Sequence, residues 1–244
     1  MTTNHVKNPY LKIRIGDDNL SKYSSIHLER LRTNIPQTTD MIFGIPVSTL
    51  FNTMITETET IFNDWKTSTE IKATEKAQKE GKTISVNQSF EDMKSFISVK
   101  EGVIADKFPK GSPVYEEFFP LGLSEYSRVN KKNANNIFKR FISTLEIHKD
   151  VFAPEMFTQA TEKYNTFISL RQAQLQKIGK VIDEISVAGS KRYALEVQLY
   201  KNLLTLLLIN AEHPEKAEIY FDESILKKKN KKENASEQKT IEGK

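Results

Sequence analysis

Apolar residues along this chain recur mostly at helical spacing, and the breaks in that pattern define its organisation. The stretch from Phe108 to Gly122 holds three of the eight prolines and two of the nine glycines. Proline removes a backbone donor and fixes φ, while glycine admits positive φ, so no long helix runs through this seam. Before it, Leu20, Tyr23, His27 and Leu31 share one stripe of a helix over residues 20–34, with Asp17, Asp18 and Asn19 available as caps. Val47, Leu50, Phe51, Met54, Ile61, Phe62 and Trp65 make the core-facing stripe of a helix from Val47 to about Glu80. Past Lys66 the apolar residues thin to Ile71, Ala73 and Ala77, so residues 66–84 are expected to project past the bundle or fray. A returning helix over 87–107 carries Phe90, Met93, Phe96, Ile97, Val103 and Ile104.

Beyond the seam the pattern repeats. Ile137, Phe138, Phe141, Ile142, Leu145 and His148 lie on one face of a helix over 134–152. From Pro154 to Ala188 a continuous stripe is expected through Phe157, Ala160, Tyr164, Phe167, Leu175, Ile178, Ile182 and Ile185. The last helix contains the run Leu203 to Ile209, interrupted only by Thr205. A helix apolar all round is surrounded on every side, so this run is expected at the centre of the fold or in a subunit interface.

The two halves share their punctuation. Pro46 and Gly81 are 35 residues apart, as are Pro154 and Gly189, and proline at the start with glycine past the end reads as helix start and stop. Leu28-Glu29-Arg30-Leu31 answers Phe138-Lys139-Arg140-Phe141, and Tyr115-Glu116-Glu117-Phe118-Phe119 answers Glu218-Ile219-Tyr220-Phe221. The ordered series indicates an internal repeat of roughly 100 residues. The expected fold is all-α: two similar three-helix units, residues 20–122 and 123–226, forming an elongated or joined helical bundle. An N-terminal arm (1–19) and a C-terminal tail (227–244) flank them.

Charge changes the picture only at the end of the chain. The formal charge is +4, and residues 227–244, with seven lysines and three glutamates, account for all of it. The body sums to zero. The tail has too few apolar residues to offset the entropy of ordering and is expected to be disordered. In the arm, Leu11, Ile13 and Ile15 alternate with Lys12 and Arg14, the period of a short strand with one apolar face.

Composition bounds the chemistry. Without cysteine there is neither a disulfide framework nor a thiolate metal site. No histidine follows a glutamate by three residues, the spacing a bundle di-iron site uses; Glu146 and His148, two apart, do not share a helix face. No Gly-x-Ser-x-Gly elbow or glycine-rich phosphate loop occurs. The N-terminus lacks a secretory pattern and no apolar run reaches the ~20 residues of a membrane span, so a cytoplasmic location is expected. These readings point away from an enzyme, a cofactor or a metal, and toward a non-catalytic interaction or assembly protein that binds a protein partner or itself. The candidate contact residues are Tyr115, Phe118 and Phe119, read either as a docking motif or as packing across the seam, together with Leu11, Ile13 and Ile15. The alternative is a nucleic-acid or anionic-surface binder using Lys227, Lys228, Lys229, Lys231 and Lys232.

Overall fold

A computed structural model describes residues 9–10 and 15–226; Leu11, Ile13 and the tail lysines lie outside the described residues. The chain is mostly helical: α1 (Asp17–Thr33), α2 (Val47–Lys107), α3 (Pro113–Phe118), α4 (Ser124–Arg128), α5 (Ala134–Ile147) and α6 (Pro154–Ile209). A small antiparallel hairpin, β1 (Met41–Ile42) with β2 (Ile45–Pro46), precedes α2. No helix among the described residues is long and apolar enough to cross a membrane.

The three-helix units are the main correction. Helix α2 runs unbroken for 61 residues and α6 for 56, so each merges two expected helices. Gly81 and Gly189 stop nothing. A glycine ends a helix by turning left-handed, and the glycines with positive φ among the described residues are Gly44, Gly111 and Gly122. Inside a helix a glycine costs only about 1 kcal/mol relative to alanine, and no proline follows until Pro109 or Pro214. The seam does break the chain: α2 ends at Lys107, and α3 restarts on Pro113 with Ser112 accepting a hydrogen bond from the Tyr115 amide.

Because α2 and α6 do not turn back, the compact units are not consecutive in the chain. One comprises the described residues up to Lys72 together with those from Glu184 onward; the other is Ala73–Asp183. The first buries Leu20, Tyr23, Leu31, Phe51, Trp65, Leu195, Leu206, Tyr220 and Phe221 in one core. The second buries Met93, Ile97, Phe118, Phe119, Phe138, Phe141 and Phe167. In each, α2 and α6 run antiparallel, as the bonds Gln198–Glu57 and Lys191–Asp64 show in the first and Gln174–Thr83 and Lys177–Glu75 in the second.

The inward positions of α6 are seven residues apart: Ala160, Phe167, Gln174 and Val181 in the second unit, Ala188, Leu195 and Asn202 in the first, all buried. A seven-residue repeat keeps one seam against an antiparallel partner. The sequence-expected stripe, stepped at 3.6 residues, slips off this seam: Leu175, Ile182 and Ile185 are 51%, 62% and 48% exposed. The leucine run is also not surrounded, for Leu206 is fully buried while Leu204 and Leu208 face outward. Residues 66–84, expected to project or fray, stay helical, and Glu75 and Thr83 among them bond α6.

Each core draws on chain from both sides of Gly122. Fragments 1–122 and 123–244, prepared separately, are therefore expected to show weak helical circular dichroism alone and to regain it on mixing. A stable, cooperatively melting fragment 1–122 would contradict this assembly.

Candidate functional site

The aromatic segment after the seam points inward. Tyr115, Phe118 and Phe119 are buried, with Phe118 edge-on to Phe141 at 5.6 Å and Phe119 edge-on to Tyr126 at 5.6 Å. Tyr126 donates to the Phe118 carbonyl at 2.6 Å. The segment thus packs on α5, beyond the seam, and as buried core these three residues present no docking surface of their own. Ile15 is half-buried against the core of the first unit.

The most elaborate polar arrangement lies in the core of the first unit. His27, Thr58, Gln198 and Asn202 are all buried there. The Gln198 side-chain amide donates to Glu57 Oε2 at 3.2 Å and to Asn202 Oδ1 at 3.0 Å. Asn202 Nδ2 donates to Thr58 Oγ1 at 2.6 Å and meets His27 Nε2 at 2.9 Å. His27 Nε2 must therefore accept, which leaves Nδ1–H to donate to the Tyr220 carbonyl at 2.9 Å. Phe221 stacks on the imidazole at 4.4 Å. Arg30, one turn along α1, donates to the carbonyls of Ile219 and Phe221. Burial pushes the His27 pKa down from 6.5 to about 4, against the opposing effect of the Tyr220 carbonyl. A neutral ring wholly out of solvent is not placed for acid–base chemistry on a substrate; it fixes one segment on another.

Two other features stand at the surface of the first unit. Asp17 accepts from Lys72 at 2.9 Å and Arg192 at 2.8 Å; burial works to raise its pKa, but these two bonds hold it below the ordinary carboxylate value. In the hairpin, both turn residues are left-handed, Phe43 at φ 50° and Gly44 at φ 78°. Such a two-residue turn suits the strand twist but favours Asn-Gly. Phe43 is 88% exposed, beside an open pocket of about 650 Å³ lined by residues that include Met41, Ile42, Val47 and Leu208.

His148 caps α5 and its Nε2 lies 3.0 Å from Glu117 Oε2, rather than with Glu146. No group of three or more histidine, aspartate or glutamate side chains among the described residues is placed to hold a metal ion. The polar core was the feature that sequence reading missed. Its signal is visible in retrospect: Thr58 sits seven residues from Phe51 and from Trp65, and Asn202 seven from Leu195, polar residues at otherwise apolar seam positions. No protein-family model, no curated protein and no solved structure matches the chain.

Removing Asn202 takes the donor from both His27 Nε2 and Thr58 Oγ1. Asn202→Ala is expected to lower stability by roughly 2–5 kcal/mol, since each buried polar group left unsatisfied costs about 1–3 kcal/mol; chemical denaturation measures this. At the hairpin the expectation reverses. Phe43→Asn relieves the left-handed strain of a bulky residue and should raise stability by up to about 1 kcal/mol, read as a higher melting temperature.

Proposed function

We propose that the protein is a non-catalytic helical assembly protein, an internal duplication that acts through protein–protein contacts. One observation carries the reading: over one stretch of the second unit the α2–α6 seam is polar. Facing inward are Glu75, Thr83, Gln174 and Lys177, which bond one another across the seam. In an antiparallel pair of right-handed helices, the residue after each inward position turns to the same side, because each step rotates by about 100°. That side receives Lys76 after Glu75, but Ile84 after Thr83, Leu175 after Gln174 and Ile182 after Val181, with Ile178 half-buried after Lys177. Ile84 is 67% exposed, Leu175 51% and Ile182 62%. Aliphatic side chains aligned on a solvent face beside a polar seam suit a surface that another protein covers.

The duplication is supported by how the aligned segments are used. Arg30 on α1 clasps the chain that has just left α6, and Arg140 on α5 pairs with Glu125 in the chain that has just left α2. The exit Tyr220-Phe221 packs on α1 as Phe118-Phe119 packs on α5. In this reading each repeat lends its exit to the leading helix of the other.

The test is a double variant, Leu175→Glu with Ile182→Glu. Both side chains are more than half exposed, so the melting temperature should stay within a few degrees of wild type. Recovery of cross-linked partners from native cells, or the sedimentation coefficient if the partner is a second copy, should fall. Unchanged recovery and unchanged sedimentation would sink the reading.

A further inference from the structure

The hydrogen bonds around His27 run in one direction. Gln198 donates to Asn202, Asn202 donates to His27, and His27 donates to the Tyr220 carbonyl. At the far end the same Gln198 amide donates to the Glu57 carboxylate. A second ring proton would set His27 Nε2–H against the Asn202 amide N–H. Turning the Asn202 amide over would accept that proton, but it would then oppose the Gln198 amide. Turning Gln198 as well would bring its carbonyl oxygen against Glu57. Each local repair costs a further rearrangement and moves the conflict one residue outward, until it reaches the exposed carboxylate of Glu57.

We infer that His27 is an acid-operated latch: protonation of its ring releases the segment Pro214–Leu226 from α1. The segment is held at His27 and by the core around it. Its Tyr220 carbonyl takes the His27 proton, Phe221 stacks on the ring, and Arg30 holds the carbonyls of Ile219 and Phe221. Tyr220 Oη donates to the Asn34 carbonyl at 2.8 Å, the Tyr220 ring packs on Phe51, and Phe221 stacks on Tyr10 and Tyr23. Opening exposes the imidazole to water, where its ordinary titration is restored, and uncovers Tyr220, Phe221 and Tyr10, which are about 95% buried when the latch is shut.

The charges around the ring do not rescue the imidazolium. On α1, Arg30 is itself cationic and opposes a second positive charge. In the released segment, Asp222 lies 4.0 Å from Arg30 and accepts from Ser224. On α2, Glu57 reaches the ring only through Gln198 and Asn202, and α6 presents those two neutral amides. Tyr10 and Tyr23 hydrogen-bond each other at 3.3 Å, and burial raises both, so they stay protonated throughout the acid range.

The sign follows from linkage. The closed ring titrates near 4 and the open ring near 6.5, so the open form binds more protons as pH falls between those values. The latch is fully closed above 6.5 and loosens progressively down to about 4. Between pH 7 and pH 5 the opening equilibrium should rise roughly twentyfold.

Amide hydrogen exchange of the full chain, corrected for intrinsic rates, reads this directly. Protection across 218–226 should fall about twentyfold from pH 7 to pH 5, while that of Phe90–Ile97 in the other core stays level. In His27→Gln the pH dependence of 218–226 should vanish. Should that variant fail to fold, ring nitrogen chemical shifts of wild-type His27 serve instead: protonation of the ring is expected to coincide with loss of protection across 218–226, and a ring that protonates while the segment stays protected would overturn the latch. Protection of 218–226 that is indifferent to pH between 7 and 5, an equal acid loss in His27→Gln, or a His27 titration at its ordinary 6.5 would each overturn the latch.

Discussion

The continuity of α2 and α6 decides which parts of this chain meet. Had either helix stopped at its central glycine, each half of the sequence would have folded back on itself. Gly81 and Gly189 stay helical, so each long helix carries its chain onward to pack with residues from the other half. The cost of the two glycines, about 1 kcal/mol each, is small beside what the seam returns. Burial of Phe51, Trp65, Met93, Phe167, Leu195 and Leu206 is worth roughly 1.5–3 kcal/mol per large apolar side chain. Propagating a helix is cheap once it has begun, and packing at its ends makes the middle worth keeping.

That same continuity gives the exit segments their role. A chain leaving a long helix arrives beside a leading helix from the other half, and both arrivals use aromatic residues. Phe118 and Phe119 fill the core under α5; Tyr220 and Phe221 close over α1. The second site differs in chemistry, because a histidine and an asparagine occupy positions that leucine or phenylalanine would fill. Buried polar groups add little net stability when satisfied and much instability when not. Their effect here is selectivity: the segment seats only where a carbonyl meets the His27 N–H, and only while that ring is neutral.

Much of the helical content was legible in the sequence, since α1 and α5 follow their apolar stripes closely and the proline and glycine seam breaks the chain as its composition requires. The helix ends at Gly81 and Gly189 were not legible, because glycine is a stop only in a left-handed conformation that its neighbours permit but do not dictate. The stripe on α6 was misplaced for a geometric reason. It steps eight residues from Phe167 to Leu175 where the buried seam steps seven to Gln174, and one residue is about 100° of rotation, enough to carry Leu175 and Ile182 from the inside to the outside. The aromatic seam residues were left open between docking and packing, since aromatic composition serves both; their burial on α5 depends on contacts with chain that follows the seam. The polar core escaped because His27 and Asn202 are 175 residues apart. Only the antiparallel register of α2 with α6, together with the seat of the last segment on α1, brings them together.

The polar stretch of seam in the second unit tests how far stability alone explains this sequence. Exchanging Thr83 and Gln174 with their neighbours Ile84 and Leu175 would put aliphatic groups in the seam and polar ones in water, the arrangement that folding of a lone chain favours. The ion pair Lys177–Glu75, 15% and 19% exposed, does not compensate, because a partly buried pair gives back little more than its desolvation. What the polar seam does provide is register. Gln174 bonds Thr83 and Lys177 bonds Glu75, contacts between the helices that a slip of one turn would break, whereas an all-aliphatic seam tolerates such slips. The outward aliphatic residues are then the remaining cost, and the proposed function assigns that cost to a surface that covers them. Under that proposal, register within the chain and association outside it follow from one arrangement of residues.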